Sequence, residues 1–199
     1  MKNSRRDFLK LASLVAAGLS LPVRAQSPLK ILVLGGTGFI GPHMVQYALS
    51  RGHEVSIFTR GNRQLDMPGV EHLIGDRNDN HNALIGRSWD VILDNNAQDY
   101  RWVQTSTELL RQVAEHYIIV SSISAYAAEG FGYDNWQRLV FEPTIDEDYE
   151  RLSPPEGWSD QDDVPYGLMK ALSEDVVRDA FPDRCAVVRP GLIVGPGDP

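Results

Sequence analysis

The sequence predicts an α/β domain built on a doubly wound parallel sheet, and two observations carry that prediction. An apolar run, Leu29-Lys30-Ile31-Leu32-Val33-Leu34, leads straight into Gly35-Gly36-Thr37-Gly38-Phe39-Ile40-Gly41 and then into a helical pattern. Strand and helix signals then alternate through most of the chain. Apolar strands spaced by helices imply a parallel sheet covered on both faces.

The first strand is expected over Lys30–Leu34. Gly35 then permits a tight turn, Gly38 lets the backbone approach a bound group, and Gly41 lets the next helix pack closely. That helix, Phe39–Arg51, closes on Arg51-Gly52, a basic last turn followed by a glycine cap. Strands follow over Glu54–Phe58, Glu71–Ile74 and Asp90–Leu93, with a short helix near Asn80–Ile85. Then come a helix over Trp102–Glu115, a strand over Tyr117–Ser121, a helix over Tyr166–Phe181 and a strand over Cys185–Arg189. Right-handed crossovers favour the order 3-2-1-4-5-6. A strand, glycine turn and helix start of this kind is how a Rossmann domain holds a dinucleotide, with free N–H groups at the helix start for the phosphates. Gly35, Gly38, Phe39, Ile40 and Gly41 are the expected contacts, although G-x-x-G-x-x-G is one residue wider at its first step than G-x-G-x-x-G.

One segment breaks the rhythm. Residues 127–164 are aromatic, acidic and proline-bearing, with Trp136, Trp158, Pro154 and Pro155 and no clear period. Connections this long inside a compact domain are usually functional or disordered, and two tryptophans argue against plain disorder. The insertion is expected to fold over the cleft at the C-terminal ends of the strands.

Ahead of the domain stand Ser4-Arg5-Arg6-Asp7-Phe8-Leu9-Lys10, an apolar run from Leu11 to Leu21, and Val23 and Ala25 where a signal peptidase reads small residues. This resembles a twin-arginine export signal cleaved after Ala25, leaving 26–199 as the domain. The resemblance implies the twin-arginine translocation machinery as a partner, export in the folded state and a periplasmic or secreted location. The apolar run is short for a membrane span, which needs about 20 residues, so no stable membrane insertion is expected.

Without that leader's five basic residues (Lys2, Arg5, Arg6, Lys10, Arg24) and one acid (Asp7), the 19 basic and 27 acidic residues become 14 and 26, a net charge of −12. Such a surface repels nucleic acid and anionic membranes, so neither is an expected partner. Cys185, the one cysteine, cannot form an internal disulfide, and Cys185-Ala186-Val187-Val188 reads as a buried strand with a structural thiol. The five histidines are scattered and no metal-ligand spacing occurs, so no metal site is expected.

Tyr166 and Lys170 lie four apart at the start of a helix, which puts both on one face. An ammonium beside a tyrosine favours phenolate and makes it usable as an acid/base near neutral pH. Upstream, Val120-Ser121-Ser122-Ile123-Ser124-Ala125-Tyr126 ends strand five, where sheets of this kind bind ligands. Together, the glycine turn, the serine-rich strand end, Y-x-x-x-K and the closing Arg189-Pro190-Gly191…Gly195-Pro196-Gly197 resemble the short-chain dehydrogenase/reductase superfamily. The likeness is to its extended or atypical branch, the NAD-dependent epimerase/dehydratase family.

That resemblance implies roles. S-x-x-x-Y aligns Ser122 with Tyr126 and so makes Ser122 the catalytic serine, with Ser121 and Ser124 as nearby alternatives. Tyr166 becomes the acid/base, and Lys170 lowers its pKa and holds the nicotinamide ribose. Gly75-Asp76 matches the family's adenine-side aspartate, with Arg77 beside it, and Asn95, Asn96 and Ala97 lie where the family lines the ribose and nicotinamide. NAD-specific members carry an acid at the end of strand two, whereas Phe58-Thr59-Arg60-Gly61-Asn62-Arg63 has none. Thr59, Arg60 and Arg63 therefore fit the 2′-phosphate of NADP better than NAD. Extended members continue past this strand into a substrate region, which the resemblance places beyond Pro199. A homodimer is compatible with the family.

The expected function is an NAD(P)-dependent epimerase, dehydratase or oxidoreductase acting on a secondary alcohol of a sugar or similar polyol. Export favours a reaction that returns its hydride, since no cofactor recycling is then needed. The alternative is a non-catalytic dinucleotide-binding or regulatory protein of the atypical branch.

Overall fold

A computed structural model describes residues 27–63, 65–127, 146–159 and 163–198. Strands β1 (Lys30–Leu34), β2 (Glu54–Thr59), β3 (Val70–Ile74), β4 (Trp89–Asp94), β5 (Ala114–Val120) and β6 (Cys185–Val188) form one sheet in the order β3-β2-β1-β4-β5-β6. Every pairing is parallel. The helices are α1 (Gly41–Ser50), α2 (Tyr100–Leu110) and α3 (Tyr166–Ala180), with 3₁₀ turns at Asn82–Leu84 and Ile123–Ala125. This is the doubly wound sheet that the alternating pattern predicts.

Successive residues of a strand face opposite sides of the sheet, so β1 serves two cores. Val33 packs with Val55, Ile57 and Val45 of α1 on one face. Leu32 and Leu34 pack on the other with Ile92, Tyr117, Val103 and Leu110 of α2, Val177 of α3 and Phe181 just after it. Each such side chain, once buried, stabilises the fold by about 1.5–3 kcal/mol before chain entropy is counted. Cover is uneven, however. Beyond β1 on the α1 face, Val91, Leu93 and Ile118 are half-buried and Ala186 and Val188 exposed, among the described residues. Cys185 is half-buried rather than fully buried, and burial pushes its thiol up, away from the reactive thiolate.

The helix expected over Trp102–Glu115 is shifted. It starts at Tyr100 because the Asp99 side chain accepts a hydrogen bond from Arg101 N at 2.9 Å, an N-cap. It stops at Leu110 because Val113 O accepts from Trp89 N at 2.9 Å and Ala114 pairs with Trp89, which draws this stretch into β5. The first helix begins at Gly41 rather than Phe39, and Gly52 ends it at φ +82° as a glycine cap should.

The leader expected at 1–25 lies outside the described residues, as do 128–145 and 160–162 of the insertion. The described part of the insertion is held beside the strand ends. Arg151 forms an antiparallel bridge with Tyr126, Tyr149 meets the Tyr126 ring edge-on at 6.1 Å, and Trp158 lies 6.3 Å from Tyr100 at the start of α2.

Candidate functional site

A cleft of about 870 Å³ opens at the C-terminal ends of the strands, bounded by the glycine turn, the ends of β2, β4 and β5, and the start of α3. The turn leaves β1 between its two neighbours: Gly35 N donates to Phe58 O at 3.0 Å, and Asn95 N donates to Leu34 O at 3.1 Å. Gly35 and Gly36 both sit at φ +103°, a region closed to most L residues. A Cβ on Gly41 would run into the Gly36 backbone, while one on Gly38 would meet nothing within 4 Å. Gly41 thus lets α1 start against the turn itself, and Gly38 leaves open space. Helix α1 has no side-chain cap and no acid in its first turn, so its N-terminal N–H groups are free to meet an anion. Gly36, not singled out from sequence, was legible only as the second half of a glycine pair.

Thr59, Arg60 and Arg63 line one end of the cleft together with Asp76 and Gly75, whose N donates to Thr59 O at 3.0 Å. Asp76 accepts from the backbone and side-chain amides of Asn78 at 2.9 and 2.8 Å. The Asn78 backbone hydrogen bond holds its carboxyl below the usual range, and Arg60 adds to the effect. Arg77 also borders the cleft, but its guanidinium turns inward. It donates to both Asp94 oxygens at 2.7 and 2.8 Å, to Asn96 O at 3.1 Å and to Ser106 Oγ at 3.1 Å. Asp94 is fully buried and also accepts from Tyr117 Oη at 2.7 Å and Asn96 N at 3.1 Å. Burial opposes its charge, yet Arg77 and these hydrogen bonds hold its carboxyl below the ordinary range. Burial, reinforced by Asp94, pushes the Tyr117 phenol far up. The pair therefore braces the Asn95-Asn96-Ala97 wall from behind, and Arg77 acts through that wall.

Asn95 supplies a further indication: its Oδ1 is buried beside the glycine turn without a hydrogen-bond partner. A sugar hydroxyl can donate to such an acceptor. The orphaned acceptor, the open face at Gly38 and the uncapped helix start together fit a ribose–pyrophosphate unit.

At the other end stand Ser122, Tyr166 and Lys170, all lining the same cleft. Lys170 is 6% exposed, donates to Val120 O at 3.1 Å, and holds Nζ 5.6 Å from the centre of the Tyr166 ring. Burial pulls its ammonium below the usual lysine value, partly offset by Asp94. The three serines separate. Ser121 is buried and donates to Glu174 at 2.5 Å, which commits its hydroxyl away from any substrate. Ser122 Oγ accepts from Ser124 N at 3.1 Å and donates to Ser124 Oγ at 3.2 Å, the short turn that aims it at the cleft rim.

Gly167 is what lets α3 come so near. A Cβ there would strike Ser124 O and the Leu152 side chain. Gly167→Ala is expected to push the start of α3 off the Ser122–Ala125 turn and cost about 1–3 kcal/mol, visible as a lower thermal midpoint. An unchanged midpoint would mean that this close approach does not exist.

Known proteins resemble this chain in sequence and in fold. The chain is 32% identical to 2-alkyl-3-oxoalkanoate reductase of Stenotrophomonas maltophilia over 182 residues, covering 85% of this chain and 52% of that protein. Over 124 residues it is 34% identical to the chloroplast stem-loop binding protein of 41 kDa b of Arabidopsis thaliana, covering 54% of this chain and 32% of that one. The chain thus spans about half the length of the first and about a third of the second. The crystal structure of dTDP-glucose 4,6-dehydratase from Bacillus anthracis in complex with NAD matches at a TM-score of 0.59 and 20% identity, over 81% of this chain and 54% of that one, a likeness of fold. Residues 31–199, from β1 through the glycine turn, Tyr166 and Lys170 to the last residue, match the NAD dependent epimerase/dehydratase family, and the chain belongs to it.

Proposed function

We propose that the cleft holds a nicotinamide dinucleotide and that Tyr166, Lys170 and Ser122 serve an oxidoreduction at a secondary alcohol, of a sugar or similar polyol. The observation that carries this reading is the placing of Lys170 Nζ 5.6 Å from the Tyr166 ring, on the cleft that the glycine turn opens. Relatives support it: one is named as a reductase, and a structural neighbour is described with NAD.

A bound nicotinamide supplies the hydride donor and acceptor. Tyr166 takes the hydroxyl proton, or returns it, at its phenolic oxygen. Lys170, with its ammonium over the Tyr166 ring, would hold the nicotinamide ribose beside that oxygen. Ser122 Oγ holds the substrate oxygen in line. Asn95 Oδ1 would accept from the sugar, and the N–H groups at the start of α1 would take the phosphates.

Arg60 and Arg63, with no acid at the end of β2, favour NADP over NAD. Arg60→Ala should weaken NADP binding about tenfold, the loss of one charge-assisted contact, and leave NAD affinity nearly unchanged. Equal loss for both nucleotides would overturn the NADP preference.

The leader at Ser4–Lys10 supports export of the folded protein by the twin-arginine route to the periplasm or beyond. An exported enzyme of this kind suits a reaction that returns its hydride, such as epimerisation or redox-assisted elimination. Mass spectrometry of the protein purified from the exported fraction tests the whole reading. A bound dinucleotide is the expected result, and an empty protein that also fails to bind added NADP or NAD would sink it.

A further inference from the structure

Glu174 stands one helical turn beyond Lys170 and two beyond Tyr166 on α3, so all three share one helix face. It is fully buried. Its carboxylate accepts from Ser121 Oγ at 2.5 Å, from Arg189 Nε and Nη2 at 2.8 and 2.7 Å, and from Arg151 and Arg178 Nη1 at 3.3 Å each. These partners come from four separate stretches: the end of β5, the segment after β6, the insertion, and α3 itself. Arg151 and Arg178 also meet Asp175, at 2.6 and 3.7 Å. Arg189 has no second carboxylate among the described residues; its other partners are Tyr126 Oη at 2.8 Å and Glu147 O at 3.3 Å.

We propose that Glu174 is a positioning residue of this site, whose buried carboxylate ties β5 and the segment after β6 to α3 and supplies negative charge beside the Lys170 ammonium. The inference rests on the reading of Lys170 given above. By taking the Ser121 hydroxyl, Glu174 fixes the register in which Ser122, on the opposite side of the chain, meets the cleft. Its charge also acts on Lys170, after burial, Asp94 and Arg77. The charged groups around Lys170 are Asp94 from β4, Arg77 from the turn after β3, and Glu174 on its own helix, with Tyr166 as the neighbouring titratable group. Asp94 and Arg77 neutralise each other as a bidentate pair. Glu174 likewise balances Arg189. Removing its charge leaves surplus positive charge near a buried ammonium and drives Lys170 towards the neutral amine.

A 13C NMR titration of the lysine Cε signals in the ligand-free protein tests this, because the sequence has only Lys2, Lys10, Lys30 and Lys170. Lys170→Arg assigns the signal. Glu174→Gln should lower the Lys170 midpoint by about one pH unit, and Glu174→Asp should restore most of it. Arg189→Gln, which also breaks the cluster but frees the carboxylate's charge, should raise it. A merely structural fastener predicts a lower thermal midpoint in all three variants with the Lys170 titration unmoved, and that result would overturn the proposal. If Glu174→Gln does not fold, the Arg189→Gln arm decides alone: an unchanged or lowered midpoint refutes it. The titration needs no nucleotide. Failure of the wild-type protein to bind NADP or NAD would therefore refute the functional reading while leaving this result to stand or fall separately.

Discussion

Replacing Tyr166 with phenylalanine is expected to lower turnover by about 10²–10⁴-fold, the usual worth of a general acid/base, and to leave nucleotide affinity within a few-fold. The structure explains why the two should part. Tyr166 is 53% exposed at the cleft, and its hydroxyl makes no hydrogen bond among the described residues. Removing that oxygen therefore disturbs neither the packing of α3 nor the glycine turn. The ring remains under Lys170 Nζ, so the ammonium keeps its place. Steady-state kinetics beside nucleotide titration reads the split directly. Turnover that survives the change would show that another group moves the proton. A wild-type protein that binds nucleotide but turns over no secondary alcohol would favour the non-catalytic reading instead.

Asp94→Ala should cost about 3–5 kcal/mol, a large share of the roughly 5–15 kcal/mol that holds a domain together. The loss exceeds that of an ordinary salt bridge because both partners are buried: Arg77 and Asp94 side chains are 5% and 0% exposed. Without Asp94, a guanidinium is left in the interior opposite Tyr117 and Ser106 with its charge unanswered. Arg77→Met in the same background should recover part of the loss, since the stranded charge is then gone. Acid supplies an independent check. The Asp94 carboxyl lies below its unfolded value, so its contribution is complete above the ordinary carboxylate range near pH 4 and fades as pH falls through the lower folded value. The gap between wild type and variant in denaturant melts should therefore be full at pH 7 and shrink steadily as pH is lowered below 4. A constant gap at both pH values would assign the effect to packing rather than charge.

The sheet was readable because its strands are short apolar runs and its punctuation is glycine. The strand order, the glycine turn and the placing of Tyr166 with Lys170 all follow from local signals that the fold does not override. The boundary near Arg111 was not readable. Leu109-Leu110-Arg111-Gln112-Val113-Ala114 carries no glycine or proline, and only the pairing of Ala114 with Trp89 ends the helix there. Pairings across the sheet were equally hidden. Arg77 and Asp94 lie 17 residues apart on different elements, and Ser121 meets Glu174 across 53. Sequence alone marked Arg77 as a cleft residue without showing that its charge is spent inward, and it picked Ser122 by alignment without showing that Ser121 is tied to Glu174. Glu174 left one signal, its place eight residues after Tyr166 on the same helical face.

Parallel pairing also sets when the cleft comes into being. No hairpin can close such a sheet, and Lys30 N reaches Asp90 Oδ2, at 2.7 Å, only across a sequence separation of 60. The glycine turn has its two walls only after both β2 and β4 have docked on β1, as the bonds from Gly35 to Phe58 and from Asn95 to Leu34 record. Pairings of that span are slow to form. A ligand of this cleft can therefore recognise only molecules whose central strands are complete. It adds stability to those alone, about 2.7 kcal/mol at a hundredfold excess over its dissociation constant. A retained nucleotide would then be a molecular seal on the assembled centre of the sheet, set only on chains in which β1, β2 and β4 have already met.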